Sequence, residues 1–535
     1  MNVQIIDTDV LIIGSGIAGL RAALGVKKSG KQPVLVSKSP LGKANNTALS
    51  GGGFTFATKT FGQAEHFQET LNSGRMLNDR ALVEYLVSTA PGKVQELLEM
   101  GIEGNSVATG FHCQSPFLIG GPKITQVLCR ACRAAEIRIF ENIMITDLIV
   151  ADERCRGALG FQRQSGQWYG FCAKATVLAT GGAGAIYGRS DNAPGATGDG
   201  YALALNAGLE LMDMEFVQFY PLAYVGTGYT NMIVMPFFAD LGKILNRHGE
   251  DIKEKYQLHE KPVAIIARDR LSQALFLEID QGNDIDGALY LDLRHIDETL
   301  LPCSDEEKAR YRHKMSYDKV PVKITPACHH TMGGIPIDVK GQTALNGLYA
   351  AGEVVGGIHG ANRMGGNALS EGLVFGELAG RAASEATGSS GDLKEFAALM
   401  NVLTQKWIRF LNPVHATPSP VRDVRRPLKE TLWEKVGIVR DEASLKEGIE
   451  RIKSISSTLE AMVVSKPREL SKIVECRNAV SIGMSIAISA LERKESRGSH
   501  SRKDYPAEEK EWTKNILVGM ADETTFFSRI KTIIS

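Results

Sequence analysis

The sequence carries no net charge. Its 61 lysines and arginines are matched by 61 aspartates and glutamates. There is thus no basic surface to favour nucleic acid and no long-range field to favour an anionic membrane. No uninterrupted apolar run reaches the ~20 residues that a membrane-spanning helix needs. A leader built of basic, apolar and small-residue segments is missing as well. The chain instead runs from MNVQIIDTDV straight into LIIGSG, a strand entering a glycine turn. These absences predict a cytoplasmic protein with no direct membrane insertion, any membrane association coming through partner subunits. Internal repeats and low-complexity tracts are absent too.

Cysteine is sparse and scattered. The thiols are Cys113, Cys129, Cys132, Cys155, Cys172, Cys303, Cys328 and Cys476. The one CxxC pair, Cys129 and Cys132, lies in the helix-like run ITQVLCRACRAAE. Four closely grouped thiolates are missing, so no iron–sulfur cluster is expected on this chain alone, and no metal site is expected.

What is present is length and glycine. At 535 residues, 43% apolar and 23% charged, the chain has room for two or more domains around a large core. It holds 55 glycines, about a tenth of the chain against the usual ~7%. Such an excess suits a fold whose backbone approaches a ligand closely.

Residues 8–36 read as strand, turn, helix and strand. TDVLIIG is apolar enough for a buried parallel strand, and GSGIAGL sets Gly14, Gly16 and Gly19 in GxGxxG spacing before a helix. The acid expected at the end of the second strand is absent, and Ser37-Lys38 stands there. A second strand-into-glycine turn, KATVLATGGAGAIYG, follows a β-rich excursion. Two such turns in one chain point to a flavin-binding fold more than to a simple nicotinamide dehydrogenase. Residues 222–320 lose the α/β rhythm and read as an insertion. Beyond LNPVHATPSP (411–420) the pattern is helical.

The densest chemistry lies at 325–376. His329 and His330 precede Gly333-Gly334. The short strand Leu348-Tyr349-Ala350-Ala351 closes on Gly352-Glu353, and HGANRMGGN opens a helix. A strand ending in Gly-Glu can set a carboxylate against a ribose hydroxyl, and a glycine turn at a helix start offers N–H groups to an anion. His and Arg between these devices suit a carboxylate held against a bound cofactor.

On HHTMGGIPID, LYAAGE, HGANRMGGNALSEGLVFG, ATGDGYALALNAG with DMEFVQF, and ALERKESRGSHSRKDYP, the chain resembles the fumarate reductase/succinate dehydrogenase flavoproteins, which include L-aspartate oxidase. The resemblance runs nearly end to end. It implies an α/β FAD-binding Rossmann-like domain (1–221 and 325–410), an inserted α+β capping domain (222–324) and a C-terminal helical domain (421–535). It implies hydride transfer between flavin N5 and a carbon–carbon bond next to a carboxylate. Arg268, in RDRLSQA, matches the capping-domain arginine that moves the accompanying proton. His329 and Arg363 match the residues that grip the substrate carboxylate. The implied flavin contacts are Gly14, Gly16, Gly19, Lys38, Asn46, Thr47, Gly52, Gly53, Asp199, Glu353, Arg363 and Ser370. The histidine that binds FAD covalently in membrane-bound relatives is replaced by Asn45, in Asn45-Asn46-Thr47, so the flavin is expected to be non-covalent.

Other departures fall at the far end of the implied pocket. The family's QFHPT reads Gln218-Phe219-Tyr220-Pro221-Leu222, and its TE…RGEG stretch is replaced by MPFFADLGK (235–243). Phe237 and Phe238 are expected to rebuild that end, and Asp240 to stand near a lost acid. The expected substrate is a small carboxylate, larger than a plain C4 dicarboxylate or less charged at one end, with enoate reduction as the direction. The alternatives are L-aspartate oxidase, or an electron-transferring subunit with a vestigial site. The basic run ERKESRGSHSRK is then a candidate dock for an iron–sulfur electron-transfer subunit.

Overall fold

The computed structural model describes residues 3–114, 119–226, 232–386, 392–411, 421–522 and 525–532. At its centre lies a sheet of seven strands. Val3–Ile13 runs parallel to Pro33–Ser37 on one side and to Trp168–Leu178 on the other. Arg138–Glu141 extends the first side. Arg154–Gln162 and Ile143–Ala151 extend the second in antiparallel fashion, and Leu348–Ala350 joins the end of Trp168–Leu178. Val10, Leu11, Ile12 and Ile13 are all buried, as a parallel strand covered on both faces requires.

Two helices far apart in sequence, Ile17–Lys28 and Asn367–Ser384, pack against each other over this sheet. Their backbones come close because the facing residues are small. A Cβ on Gly376 would stand 2.5 Å from the Ala18 carbonyl oxygen, and one on Gly380 would stand 2.3 Å from that of Ala22. The glycine turns that open both helices are thereby fixed in one rigid unit.

Val217–Tyr224 leaves this unit and Val322–Thr331 returns to it. The two strands pair antiparallel and carry Leu289–Asp292 and Lys243–Leu245 beyond them in a second sheet. A separate apolar core, running from Tyr220 to Ile324, fills this region. The strands therefore serve both as the connection to the cap and as a wall of the site.

Toward the C-terminus, helices Arg422–Lys435, Glu442–Glu460 and Pro467–Glu492 pack together. The hairpin Lys514–Met520/Phe526–Thr532 then pairs with Leu211–Met212. Pro467–Glu492 is long and apolar enough to cross a membrane, but 78% of its apolar window is buried inside the protein, as in a core helix. Of the proline-bearing stretch 411–420, residues 412–420 lie outside the described residues.

The arginines of the basic run do not form a solvated face. Arg493, Arg497 and Arg502 are 0, 4 and 1% exposed. Arg493 donates to Glu215 at 2.6 Å and to Glu495 at 3.0 Å, Arg497 pairs with Glu495, and Arg502 with Asp504. Buried guanidinium groups need such partners. The segment is thus an internal clasp between the C-terminal region and the strand-leading residue Glu215. Cys129 and Cys132 are buried on helix Gly121–Ala134, and burial pushes their thiols up to about 11 and about 12. Neither is a thiolate near neutral pH.

Candidate active site

The two glycine turns meet. Gly14 sits at φ 121°, and a Cβ there would lie 2.0 Å from the Ala179 carbonyl oxygen at the second turn. Gly19 packs on Gly14 in the same way, at 1.9 Å from its oxygen. Only glycine fits either place. Thr47 reaches across so that its hydroxyl accepts from the Ile17 N–H at 3.0 Å, at the start of helix Ile17–Lys28. Ser15 and Ser37 share a hydrogen bond of 2.7 Å at the position where an acid was missing.

Lys38 turns to the helix Asp199–Asn206. Its ammonium donates to Asp199 and to Gly195 O, both at 2.6 Å, and lies 3.3 Å from Glu475. Those carboxylates hold its pKa up against burial, and Lys38 holds that of Asp199 down. Asn46 donates to Asn192 at 2.5 Å and to Glu353 at 3.1 Å, and accepts from Ala193 N. Asn45 caps the short helix Asn46–Leu49 through the Ala48 N–H. Gly52, at φ 86°, and Gly53 pass close to Gly120 and to the His112 ring. The Ser370 hydroxyl is spent on Thr55 O at 2.7 Å.

Glu353 closes the strand Leu348–Ala350 as the sequence suggests. Its carboxylate accepts from Thr331 N at 3.1 Å, and Gly182 is glycine because a Cβ there would lie 2.2 Å from Glu353 Oε1. Burial raises its pKa to about 7.

The three residues expected to do chemistry come from different elements. Arg268 opens helix Arg268–Asp280 of the cap, Arg363 lies in the turn before helix Asn367–Ser384, and His329 is on the returning strand. Arg268 Nη1 and Arg363 Nη2 donate to one atom, the amide oxygen of Gln218, at 2.7 and 2.9 Å. Gln218 in turn donates to Asn362 Oδ1 at 2.7 Å and to Arg363 O at 3.1 Å, so its orientation is settled by four bonds. Both guanidinium groups are buried. Burial lowers the pKa of each, and the charge of Arg268 helps bring that of Arg363 to about 9. Two desolvated cations around a neutral oxygen favour an anion beside them.

His329 donates Nδ1–H to Asp191 Oδ2 at 2.6 Å, and its ring lies 5.6 Å from that of Tyr220. Asp191 is buried, and its carboxylate favours the charged forms of Arg268 and Arg363. Behind it, His330 faces Gln218 across the strand pair, and His359 Nε2 lies 3.0 Å from Glu371. Burial keeps His330 neutral, with Arg363 adding to the effect.

The far end differs from expectation. Phe238 is fully buried in the cap core against Tyr311 and Tyr317, and Phe237 is half-buried beside it. Phe238 therefore lines no pocket; its neighbours are the cap's own aromatics. Asp240 accepts from the Val263 N–H at 2.9 Å and serves as a local backbone anchor. Tyr220 donates its hydroxyl to Val234 O at 2.7 Å, and its ring is tilted 41° to that of His329.

Sequence reasoning missed Gln218 and Asp191 as site residues. Gln218 was within reach, since it stands in DMEFVQF at the start of the strand that leaves for the cap. Asp191 lies 138 positions from His329 with no local signal to mark it.

The donor set fits a dinucleotide. Glycine backbone lines both turns. Among the described residues, Thr180 Oγ1 between them, His330 Nε2 and Arg363 Nε are buried without partners. The family described as FAD binding domain matches residues 9–369, and that described as Fumarate reductase flavoprotein C-term matches residues 425–531. An uncharacterized FAD-dependent oxidoreductase of Methanocaldococcus jannaschii is 34% identical, over 96% of this chain and 96% of its own. A fumarate reductase (CoM/CoB) subunit of Methanothermobacter marburgensis is 33% identical, over 99% of this chain and 100% of its own. The solved structure of an E. coli quinol fumarate reductase FrdA variant superposes with a TM-score of 0.90 at 27% identity, covering 99% of this chain and 97% of that one.

Proposed function

This chain belongs to the fumarate reductase/succinate dehydrogenase flavoprotein family, and on that premise we propose that it reduces the double bond of an enoate whose carboxylate is held by Arg363 and His329. It is a flavin-dependent oxidoreductase acting on CH–CH groups, and FAD is its cofactor. Reduced FAD supplies the hydride.

The chain's own residues supply the rest. Gly14, Gly16 and Gly19 let the helix that begins at Ile17 offer its N–H groups to the pyrophosphate. Asn46, Thr47, Gly52, Gly53 and Glu353 hold the flavin end, non-covalently, because Asn45 stands where an imidazole would be needed. Arg363 and His329 grip the carboxylate, drawing electron density toward it as charge develops on the neighbouring carbon. Arg268 delivers the proton to that carbon. Arginine is a poor acid in water, with pKa above ~12, and burial lowers that of Arg268.

The observation that carries this reading is the shared acceptor. One amide oxygen gathers the cap's arginine and the clamp's arginine from 95 positions apart in the chain, within a buried site that presents positive charge. The engaged hydroxyl of Tyr220 and the local role of Asp240 leave the far end without a ready carboxylate grip. That supports a substrate with a larger or less charged tail. Relatives named as subunits support a place for this chain as the flavoprotein component of an assembly, its partner being an iron–sulfur protein that transfers electrons. L-aspartate oxidase and a vestigial electron carrier gain no support from the relatives above.

The test is anaerobic. The purified FAD-loaded protein is reduced and mixed with fumarate, crotonate and bulkier enoates. Rapid flavin re-oxidation by one or more of them is expected, with Arg268→Gln losing at least ~100-fold in rate while keeping its flavin. An Arg268→Gln protein that re-oxidises at the parent rate would remove the proposal.

A further inference from the structure

One imidazole beside the glycines at the flavin end has no role so far. His112 stands on strand Gly110–Cys113, which pairs antiparallel with Gly53–Thr55, and it lies directly opposite Gly53. A Cβ on Gly53 would be 3.0 Å from both Cε1 and Nε2 of His112, so the ring covers that bare backbone. The pleat gives the strand pair two faces. Phe54 and Phe111, opposite each other, are buried on one. Thr55 and His112 take the other. There Thr55 donates to Gly365 O at 2.8 Å, and a Cβ on Gly365 would lie 3.4 Å from Arg268 Nη2. Gly53 and Thr55 are two residues apart, about 7 Å along the strand. The imidazole thus stands on the same face as the turn that borders Arg268, one short step along it. Among the described residues, its ring has no hydrogen-bond partner.

We propose that His112 sets substrate specificity by donating a ring N–H to an uncharged carbonyl oxygen on the tail of the enoate. The inference rests on the functional reading above and names its substrate class: a half-ester, half-amide or keto acid with a conjugated double bond. Such a molecule offers one carboxylate to Arg363 and His329 and one neutral acceptor to His112. Tyr220 and Asp240 offer no rival hold, being spent on Val234 O and the Val263 N–H. The residue is open to solvent on one side, and the protein on the other desolvates the ring and lowers its pKa. A neutral imidazole gives one N–H to a carbonyl and brings no charge to attract a second carboxylate. The bland alternative is a solvated residue on a strand pair. That role predicts no change in substrate preference when the ring is removed.

The experiment uses the FAD-loaded protein, reduced anaerobically, with monomethyl fumarate, fumarate and crotonate as probes. The three share a carboxylate and a double bond and end in an ester carbonyl, a carboxylate and a methyl group. An ester also activates the double bond, so the change on mutation is the measure. His112→Leu is expected to lower the rate ratio of monomethyl fumarate to crotonate ~10-fold, about what one hydrogen bond contributes. Crotonate's own rate and the flavin content are expected to stay unchanged. His112→Gln, which keeps an N–H donor, is expected to recover most of the ratio. An unchanged ratio in His112→Leu would overturn the inference and spare the functional reading. So would an equal loss on all three probes, or a loss on fumarate larger than that on the half-ester. Should no probe re-oxidise the parent, the functional reading falls on its own account. Titration of the oxidised protein with monomethyl fumarate, followed by flavin absorbance, then decides His112. Binding ~10-fold weaker in His112→Leu supports the assignment; equal binding, or none to the parent, overturns it.

Discussion

Arg268 and Arg363 donate to the same oxygen, that of the Gln218 side chain, at 2.7 and 2.9 Å. One arginine belongs to the cap and the other to the turn before the long helix of the nucleotide-binding region. A single neutral amide therefore sets the spacing of two cations and couples the cap's position to the clamp. The two charges repel, and a carboxylate entering between them relieves that repulsion.

Removing this bridge should cost rate more than cofactor. In Gln218→Leu the guanidinium groups lose a shared acceptor in a buried setting, a penalty of about 1–3 kcal/mol. Re-oxidation of the reduced flavin by an accepted enoate is expected to slow ~10–100-fold, with FAD affinity unchanged. Stopped-flow absorbance and a flavin titration check the two halves separately.

The pH dependence follows from Arg363. Its pKa is lowered to about 9, by burial first and then by Arg268. It is cationic below that value and neutral above it, so the grip on carboxylate is present at low pH and is lost as pH rises through about 9. The alkaline limb of kcat/KM reports this free-enzyme group. Bound carboxylate favours the charged form, so the limb in kcat is expected at higher pH.

Asp191 fixes the tautomer of His329 by accepting from Nδ1 at 2.6 Å, which leaves Nε2 for substrate. Asp191→Asn can meet the ring with either its oxygen or its nitrogen and no longer fixes which ring nitrogen carries the proton. The half-saturating concentration of the enoate is expected to rise ~10-fold, in line with the loss of a charge-assisted hydrogen bond. A steady-state titration of substrate measures it. An unchanged value would detach Asp191 from the carboxylate clamp.

The arginine clasp is a matter of stability. Arg493 is fully buried and neutralises Glu215 and Glu495. Arg493→Met strands Glu215, while Glu495 keeps Arg497, and is expected to destabilise the protein by about 3–5 kcal/mol, lowering the melting temperature. Adding Glu215→Gln should restore part of that loss. Melting curves of the single and double variants check both.

The sequence alone determined whatever depends on short range. Gly14, Gly16 and Gly19 announce their turn because a tight turn and a close helix start leave glycine no substitute. Glu353 announces itself because a short apolar strand ends on it. The segments that carry Arg268 and Arg363 marked both as candidates, and the two side chains meet at Gln218. What no local pattern could express was pairing between distant elements. Asp191 has no signature, since only the packing of the second glycine turn on the returning strand brings it to His329. Phe238 and Asp240 looked like pocket residues by position along the chain, yet the cap core takes one and a backbone N–H the other. The run ERKESRGSHSRK reads as a charged surface in one dimension. It is a buried clasp because its counter-charges, Glu215 foremost, arrive from 278 positions away. Backbone conformation is settled by neighbours in sequence, whereas the cost of burying a charge is settled by whichever partners the fold delivers.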